Sequence, residues 1–161
     1  MPPRSVYWDA CCFISYLNGD EDRLPVLDVL LEQAERGDLV IVTSMVSLTE
    51  VAFTAAERSD SALSEDDEAA IDALLSDRNA VLLVEYSESI ARQARSLMRE
   101  AVSRGWSLKP MDAIHLASAR FMEAQEFHTY DDLSRFEALV NFSIGEPSGA
   151  EPRLGLDFPK E

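Results

Sequence analysis

Four short strand-like runs, Val6-Tyr7-Trp8, Leu39-Val40-Ile41-Val42, Val81-Leu82-Leu83-Val84 and Phe127-His128-Thr129-Tyr130, are separated by longer stretches of helical pattern. This alternation is the strongest constraint on the fold, because strands that take turns with helices build a parallel sheet wrapped by helices. The continuous apolar character of the second and third runs fits strands covered on both faces. Between them the sequence predicts helices over Ala10–Leu17, Leu24–Arg36, Met45 to about Glu57, Ser87–Ser103 and Met111 to about Gln125. Leu27, Leu30, Leu31 and Ala34 follow the i, i+3, i+4, i+7 spacing of one helical face, which serves equally as core or as a dimer surface. Asp60–Glu68 reads as an acidic loop leading into a helix that runs through Leu75, and a last short strand is expected near Ala138–Phe142. Three prolines and three glycines from Gly145 onward suggest an irregular tail, so the expected organisation is one α/β domain over 1–144 and a tail over 145–161.

A chain of 161 residues, 47% of them apolar, is long enough to bury one substantial core. No apolar run approaches the ~20 residues that cross a bilayer, and the segment before Asp9 is too short for a secretory leader, which predicts a cytoplasmic protein. Cys11 and Cys12 are adjacent, lack the spacing of a zinc knuckle or redox pair, and are expected as small buried side chains. The net charge of −16 argues against sequence-independent phosphate binding over the whole surface and fits carboxylates gathered around a cation, or a basic partner.

Ligands of open parallel sheets bind beyond the carboxyl ends of the strands. Asp9 and Asp131 stand at such ends, Glu50 lies early in the helix after the second strand, and Asp112 opens the helix at Pro110. Each has a plainer use. Asp9 fits a helix cap, Asp112 fits the positive end of its helix, Ser47-Leu48-Thr49-Glu50 fits a capping box, and Asp131 fits a turn. Glu50 shares a helical face with Val46 and Phe53, however, and Asp112 with Leu116 and Ala119. Carboxylates on apolar faces need partners, and several meeting together raise one another's pKa. A hard divalent cation answers both needs, and oxygen ligands favour Mg²⁺ or Mn²⁺ over Zn²⁺.

The segments Val6-Tyr7-Trp8-Asp9-Ala10, Thr43-Ser44 through Ser47-Leu48-Thr49-Glu50-Val51, Lys109-Pro110-Met111-Asp112-Ala113-Ile114-His115-Leu116-Ala117 and Thr129-Tyr130-Asp131-Asp132 together resemble a PIN domain over roughly residues 5 to 142. That resemblance implies a PIN-like three-layer α/β/α sandwich with a mainly parallel sheet and a Mg²⁺- or Mn²⁺-dependent endoribonuclease site. It also implies the toxin of a VapBC-type toxin–antitoxin pair, homodimeric and held by a small antitoxin. By position, Asp9, Glu50, Asp112 and Asp131 form the acidic quartet, with Ser44, Thr129 and Asp132 in support.

Arg92, Arg95 and Arg99 recur at helical spacing and lead toward Lys109 and Asp112, which fits either a solvated helix face or a path for an RNA backbone. Trp8 and Trp106 are expected as core or interface residues rather than base-stacking platforms, and His115 as a packed or hydrogen-bonded helix residue. A PIN-like module that binds without cleaving is the alternative. A receiver-type phosphoryl-transfer protein is disfavoured, because Asp9 has no acidic neighbour and no lysine lies between Lys109 and Lys160.

Overall fold

The computed structural model of the chain describes residues 2–59 and 64–149, with the stretch 53–59 described by its backbone path. Five parallel strands form one sheet in the order β3-β2-β1-β4-β5: β1 (Arg4–Trp8), β2 (Leu39–Ser44), β3 (Val81–Val84), β4 (Glu126–His128) and β5 (Ser143–Gly145). Helices α1 (Ala10–Asn18), α2 (Leu24–Glu35), α3 (Val46–Ser59), α4 (Glu65–Ser76), α5 (Glu88–Ser103) and α6 (Pro110–Phe121) connect them.

Alternation along β1 divides the core into two layers. Val6 and Trp8 pack with Phe13, Leu27, Leu30, Leu31, Val51, Ile71 and Leu75 from α1 to α4. Tyr7 faces the other way, into a layer built by Ile90, Leu97 and Leu116 of α5 and α6 together with Phe127, Phe136 and Phe142. The sheet therefore sits between two helical layers, an α/β/α sandwich. Strand β2 is buried on both faces, as its unbroken apolar run requires. Strand β3 is an edge strand whose Leu82 is exposed, so the two-sided burial expected from its apolar run is not found. The leucine stripe of α2 belongs to this core: Leu27 and Leu30 are fully buried. Trp8 is also core, edge-on to Phe13, and Trp106 packs against Phe136.

Three element boundaries depart from the sequence pattern. The strand expected over Ala138–Phe142 is a 3-10 helix over Ser134–Leu139 followed by β5. Phe136, Leu139 and Phe142 are buried at intervals of three, the period of a 3-10 turn rather than of a strand. The acidic stretch thought to be loop already belongs to α4 from Glu65. The Ser64 hydroxyl accepts the Asp67 N–H at its N-terminus, and four acids in the first turn lie at the favoured end of the helix dipole. The earlier part of that stretch, 60–63, lies outside the described residues, as does most of the tail. Helix α6 stops at Phe121, before the expected Gln125. Glu123 takes a left-handed φ of 54° while the Ala124 N–H donates back to the Ala119 carbonyl, a Schellman ending without its usual glycine.

Chain order reverses between β1 and β4, since β2 and β3 extend the sheet on one side of β1 and β4 and β5 on the other. A crevice beyond the strand ends at such a switch point is where parallel α/β sheets bind ligands.

Candidate metal and active site

The switch-point crevice is an open cleft of about 240 Å³, lined by Asp9, Cys11, Ser15, Arg23, Glu50, Asp112, His115 and Asp131, with Ala10 and Ile14 at its apolar edge. All four carboxylates expected from the sequence line it.

Asp9 follows β1 and is the N-cap of α1, so its capping role and its place on the cleft coexist. One oxygen, Oδ1, accepts the Cys11 N–H at 3.1 Å and faces the Cys11 thiol at 2.6 Å. The other, Oδ2, accepts the Thr129 hydroxyl at 2.6 Å from across the switch point. With only 4% of its surface exposed, Asp9 is pushed well above the ordinary carboxylate range by burial, and the adjacent Cys11 adds to the shift. Cys11 moves down, drawn by the neighbouring Cys12 thiol and by contacts with Asp9, the Tyr130 N–H and the Thr129 hydroxyl.

Thr129 follows β4, its N–H still donating to the Gly145 carbonyl at 2.9 Å, and its Oγ1 accepts the Asp131 N–H at 3.0 Å. This turn sets Asp131 at the cleft, while Asp132 is exposed, accepts from the Ser134 hydroxyl and does not line it. Asp112, in the first turn of α6, is raised by burial and then by Asp131, with His115 and Lys109 opposing.

Glu50 does not close a capping box. Helix α3 begins at Val46, whose N–H is received by Ser44 Oγ, and Ser47 Oγ is buried against the Thr43 hydroxyl at 2.7 Å. Glu50 Oε1 instead meets His115 Nε2 at 2.5 Å, and His115 Nδ1 lies 2.6 Å from the Tyr7 hydroxyl. The Ser44 N–H donates to the same hydroxyl at 3.0 Å. Burial pushes the Tyr7 phenol far above its usual pKa, so it stays protonated. An ionised Glu50 carboxylate can only accept, so His115 donates to it through Nε2–H. One buried relay thus runs from the end of β2 through β1 and α6 to a cleft carboxylate. The Phe53 side chain, expected beside Glu50, lies outside the described residues.

The arginine stripe of α5 is elsewhere. Arg92, Arg95 and Arg99 are exposed and none lines the cleft; Arg92 is paired with Glu88 at 2.6 Å. Lys109 is exposed just before α6 and is felt electrostatically by Asp112. Sequence reasoning missed three participants. Cys12 is buried as expected, but Cys11 is half-buried on the cleft, which the helical turn after Asp9 could have indicated. Tyr7 carried an aromatic-core signal that hid its hydroxyl. Nothing local marked Arg23, which reaches the cleft from the turn before α2.

Carboxylate oxygens from four separate segments, with like charges raising Asp112, are a donor set suited to a hard divalent cation. Asp9, Cys11 and Cys12 also bring ligand atoms within 4.8 Å of one another, which adds a softer option at one side. These features define a class: a three-layer parallel α/β protein with a carboxylate-lined cleft at the switch point of its sheet.

The chain belongs to the PIN domain family, which matches residues 6–139. Solved structures share the fold at low sequence identity. VapBC2 from Rickettsia felis, determined with a DNA fragment from its promoter, is 17% identical with a TM-score of 0.69, covering 89% of this chain and 99% of that one. VapC20 from Mycobacterium tuberculosis, described as a toxin that cleaves the sarcin–ricin loop, is 17% identical with a TM-score of 0.62, covering 83% and 94%. VapBC-1 from nontypeable Haemophilus influenzae is 16% identical with a TM-score of 0.63, covering 88% and 97%. No curated protein matches the sequence.

Proposed function

We propose that this PIN domain is a Mg²⁺- or Mn²⁺-dependent endoribonuclease and the toxin of a type II toxin–antitoxin pair. The observation that carries the reading is the convergence of Asp9, Glu50, Asp112 and Asp131 on one cleft at the switch point. Asp9 and Asp112 hold the cation, and Glu50 and Asp131 complete its surroundings or orient the attacking water. Bound there, a divalent cation supplies charge neutralisation for the phosphodiester and activation of water.

The chain's own groups set the geometry. Thr129 and the Cys11 N–H fix the two oxygens of Asp9, and His115, itself set by Tyr7, fixes Glu50. Ser44 supports from behind by receiving the first amide of α3 and donating its own to Tyr7. The toxin reading rests on the likeness to VapBC assemblies and extends to a homodimer, a small cognate antitoxin and a cytoplasmic site of action. Among the described residues, no helix is long and apolar enough to cross a membrane.

The test is cleavage of a mixed RNA pool by wild type and by Asp9→Asn, with Mn²⁺, with Mg²⁺ and with EDTA. Wild-type cleavage that requires the metal and falls at least ~100-fold in the variant supports the proposal. Equal cleavage by both proteins, or none by wild type, returns the chain to the non-catalytic binding reading. Sizing of the purified protein tests the dimer, and finding that a neighbouring reading frame encodes a small protein that co-purifies with this chain and abolishes its cleavage tests the antitoxin.

A further inference from the structure

Among the described residues that line the cleft, Arg23 is the one full cation, set among Asp9, Glu50, Asp112 and Asp131. Its position is built rather than incidental. The guanidinium carbon lies 3.8 Å from the centre of the Tyr130 ring, stacked over its face. Nη1 donates to the hydroxyl of Ser15 at 2.9 Å, and Ser15 is itself only 2% exposed. The nearest carboxylate to which it pairs, Asp20, is 4.0 Å away at the solvent side, and 41% of the Arg23 side chain remains exposed. A guanidinium held by its face and by one nitrogen keeps most of its in-plane N–H donors free, in the fork that matches a phosphate.

Resting on the nuclease reading above, we propose that Arg23, seated on Tyr130 and Ser15, is a phosphate-binding subsite that grips the RNA backbone beside the scissile bond. A chain of net charge −16 repels a polyanion at long range, and the cleft's own acids add to this where the strand must come closest. A fixed cation at the cleft wall offsets that repulsion locally. The three arginines of α5 are outside the cleft and leave this task undone. Because Tyr130 precedes Asp131 directly, the same turn that delivers one carboxylate to the cleft also seats the cation. The spacing between the gripped phosphate and the reacting one is thereby set by a single turn.

The experiment compares wild type, Arg23→Ala and Arg23→Lys on an RNA oligonucleotide and on a small diester, bis-p-nitrophenyl phosphate, which has no neighbouring phosphate. Arg23→Ala is expected to raise KM for RNA roughly tenfold, as loss of a charged hydrogen-bonded contact does, with little change in kcat. Its RNA affinity should depend less steeply on salt, by ~0.7 in the log–log slope for a single strand. Loss on RNA should exceed loss on the small diester, and Arg23→Lys should recover part of the salt slope but less of KM. An unchanged KM and slope in Arg23→Ala overturns the subsite. Equal losses on both substrates, with a lowered melting temperature, also overturn it, because a mere strut would behave that way. Wild type that cleaves no RNA removes the nuclease reading itself, an outcome read before any variant is compared.

Discussion

Replacing Tyr7 by Phe removes the hydroxyl that ties the sheet to the acidic cleft. The Ser44 N–H loses its acceptor and His115 Nδ1 loses its donor. Tyr7, Ser44 and His115 are all 2% exposed or less, so water cannot easily replace the missing group. An unpaired buried polar group costs ~1–3 kcal/mol. Two of them, partly offset because no phenol hydroxyl is dehydrated, give an expected loss of about 2–3 kcal/mol. Total stability of about 5–15 kcal/mol leaves the variant folded, and the loss appears as a fall in Tm of roughly 4–12 °C. Urea unfolding at constant m-value measures it. A second measurement reads the relay itself. In wild type, ¹⁵N shifts of the His115 ring should report an unprotonated Nδ1 and a protonated Nε2, because Nε2 faces the Glu50 carboxylate and Nδ1 faces the Tyr7 hydroxyl. In Tyr7→Phe that single tautomer should give way to a mixture. A loss below ~0.5 kcal/mol, or a wild-type ring protonated on Nδ1, refutes the relay as described.

Asp112→Asn tests the like-charge cost of the cleft. Burial and Asp131 hold the Asp112 pKa above 3.8 in the folded state, so folding binds a proton more firmly and stability falls as pH rises from about that value through the raised pKa. In EDTA the variant should therefore gain on wild type as pH increases from 4 to 7. Saturating Mn²⁺ should reverse the order, stabilising wild type by ~2.7 kcal/mol at one hundred times its Kd and the variant by much less; a parallel pH dependence in EDTA counts against the assignment. Glu126→Gln tests the opposite sign at the far end of the sheet. Hydrogen bonding from His128, with Arg4 beside it, lowers Glu126 from 4.5 to about 2, so its stabilisation is present above 4.5 and is lost as pH falls toward 2. The full difference corresponds to ~3 kcal/mol, reduced to ~1–2 by the partial exposure of the pair. Wild type should exceed the variant by that amount near pH 6 and match it near pH 2, as read by urea unfolding.

The parallel sheet was legible because short strand runs alternate with helical stretches. The Leu39–Val42 run is buried on both faces as its pattern required, whereas the equally apolar Val81–Val84 run proved to be an edge strand with Leu82 exposed. The four acids were legible as positions, since strand ends and helix starts converge by topology alone. Contacts that depend on side-chain reach were not. Ser47–Glu50 satisfies the capping-box pattern, yet Ser44 takes the cap and leaves Glu50 free to meet His115 from a helix remote in sequence. Arg23 shows the same limit from the other side. A stripe at i, i+3, i+4 is visible in α5, whereas a single arginine aimed by a distant Tyr130 leaves no periodic trace. Boundaries failed where an unusual residue did a common job, as Glu123 does in the left-handed position at the end of α6.

The cleft draws much of its geometry from the central strand of the sheet. Strand β1 pairs on both sides, with β2 and with β4, and contributes Tyr7 within the sheet and Asp9 at its end. Tyr7 orients His115 and through it Glu50, while Asp9 is bound across the switch point to Thr129, whose hydroxyl also positions Asp131. Tyr7 of β1 and Asp9 just beyond it, with Thr129 across the switch point, thus connect three of the four carboxylates. Asp112, supplied by α6, is the one whose placement depends least on this strand. Substitutions at Tyr7 or Thr129 should therefore lower stability and site order together, since the same hydrogen bonds serve both. Substitution of Asp112 separates the two effects, because its carboxylate is a cost to the cation-free fold and an asset only to the site.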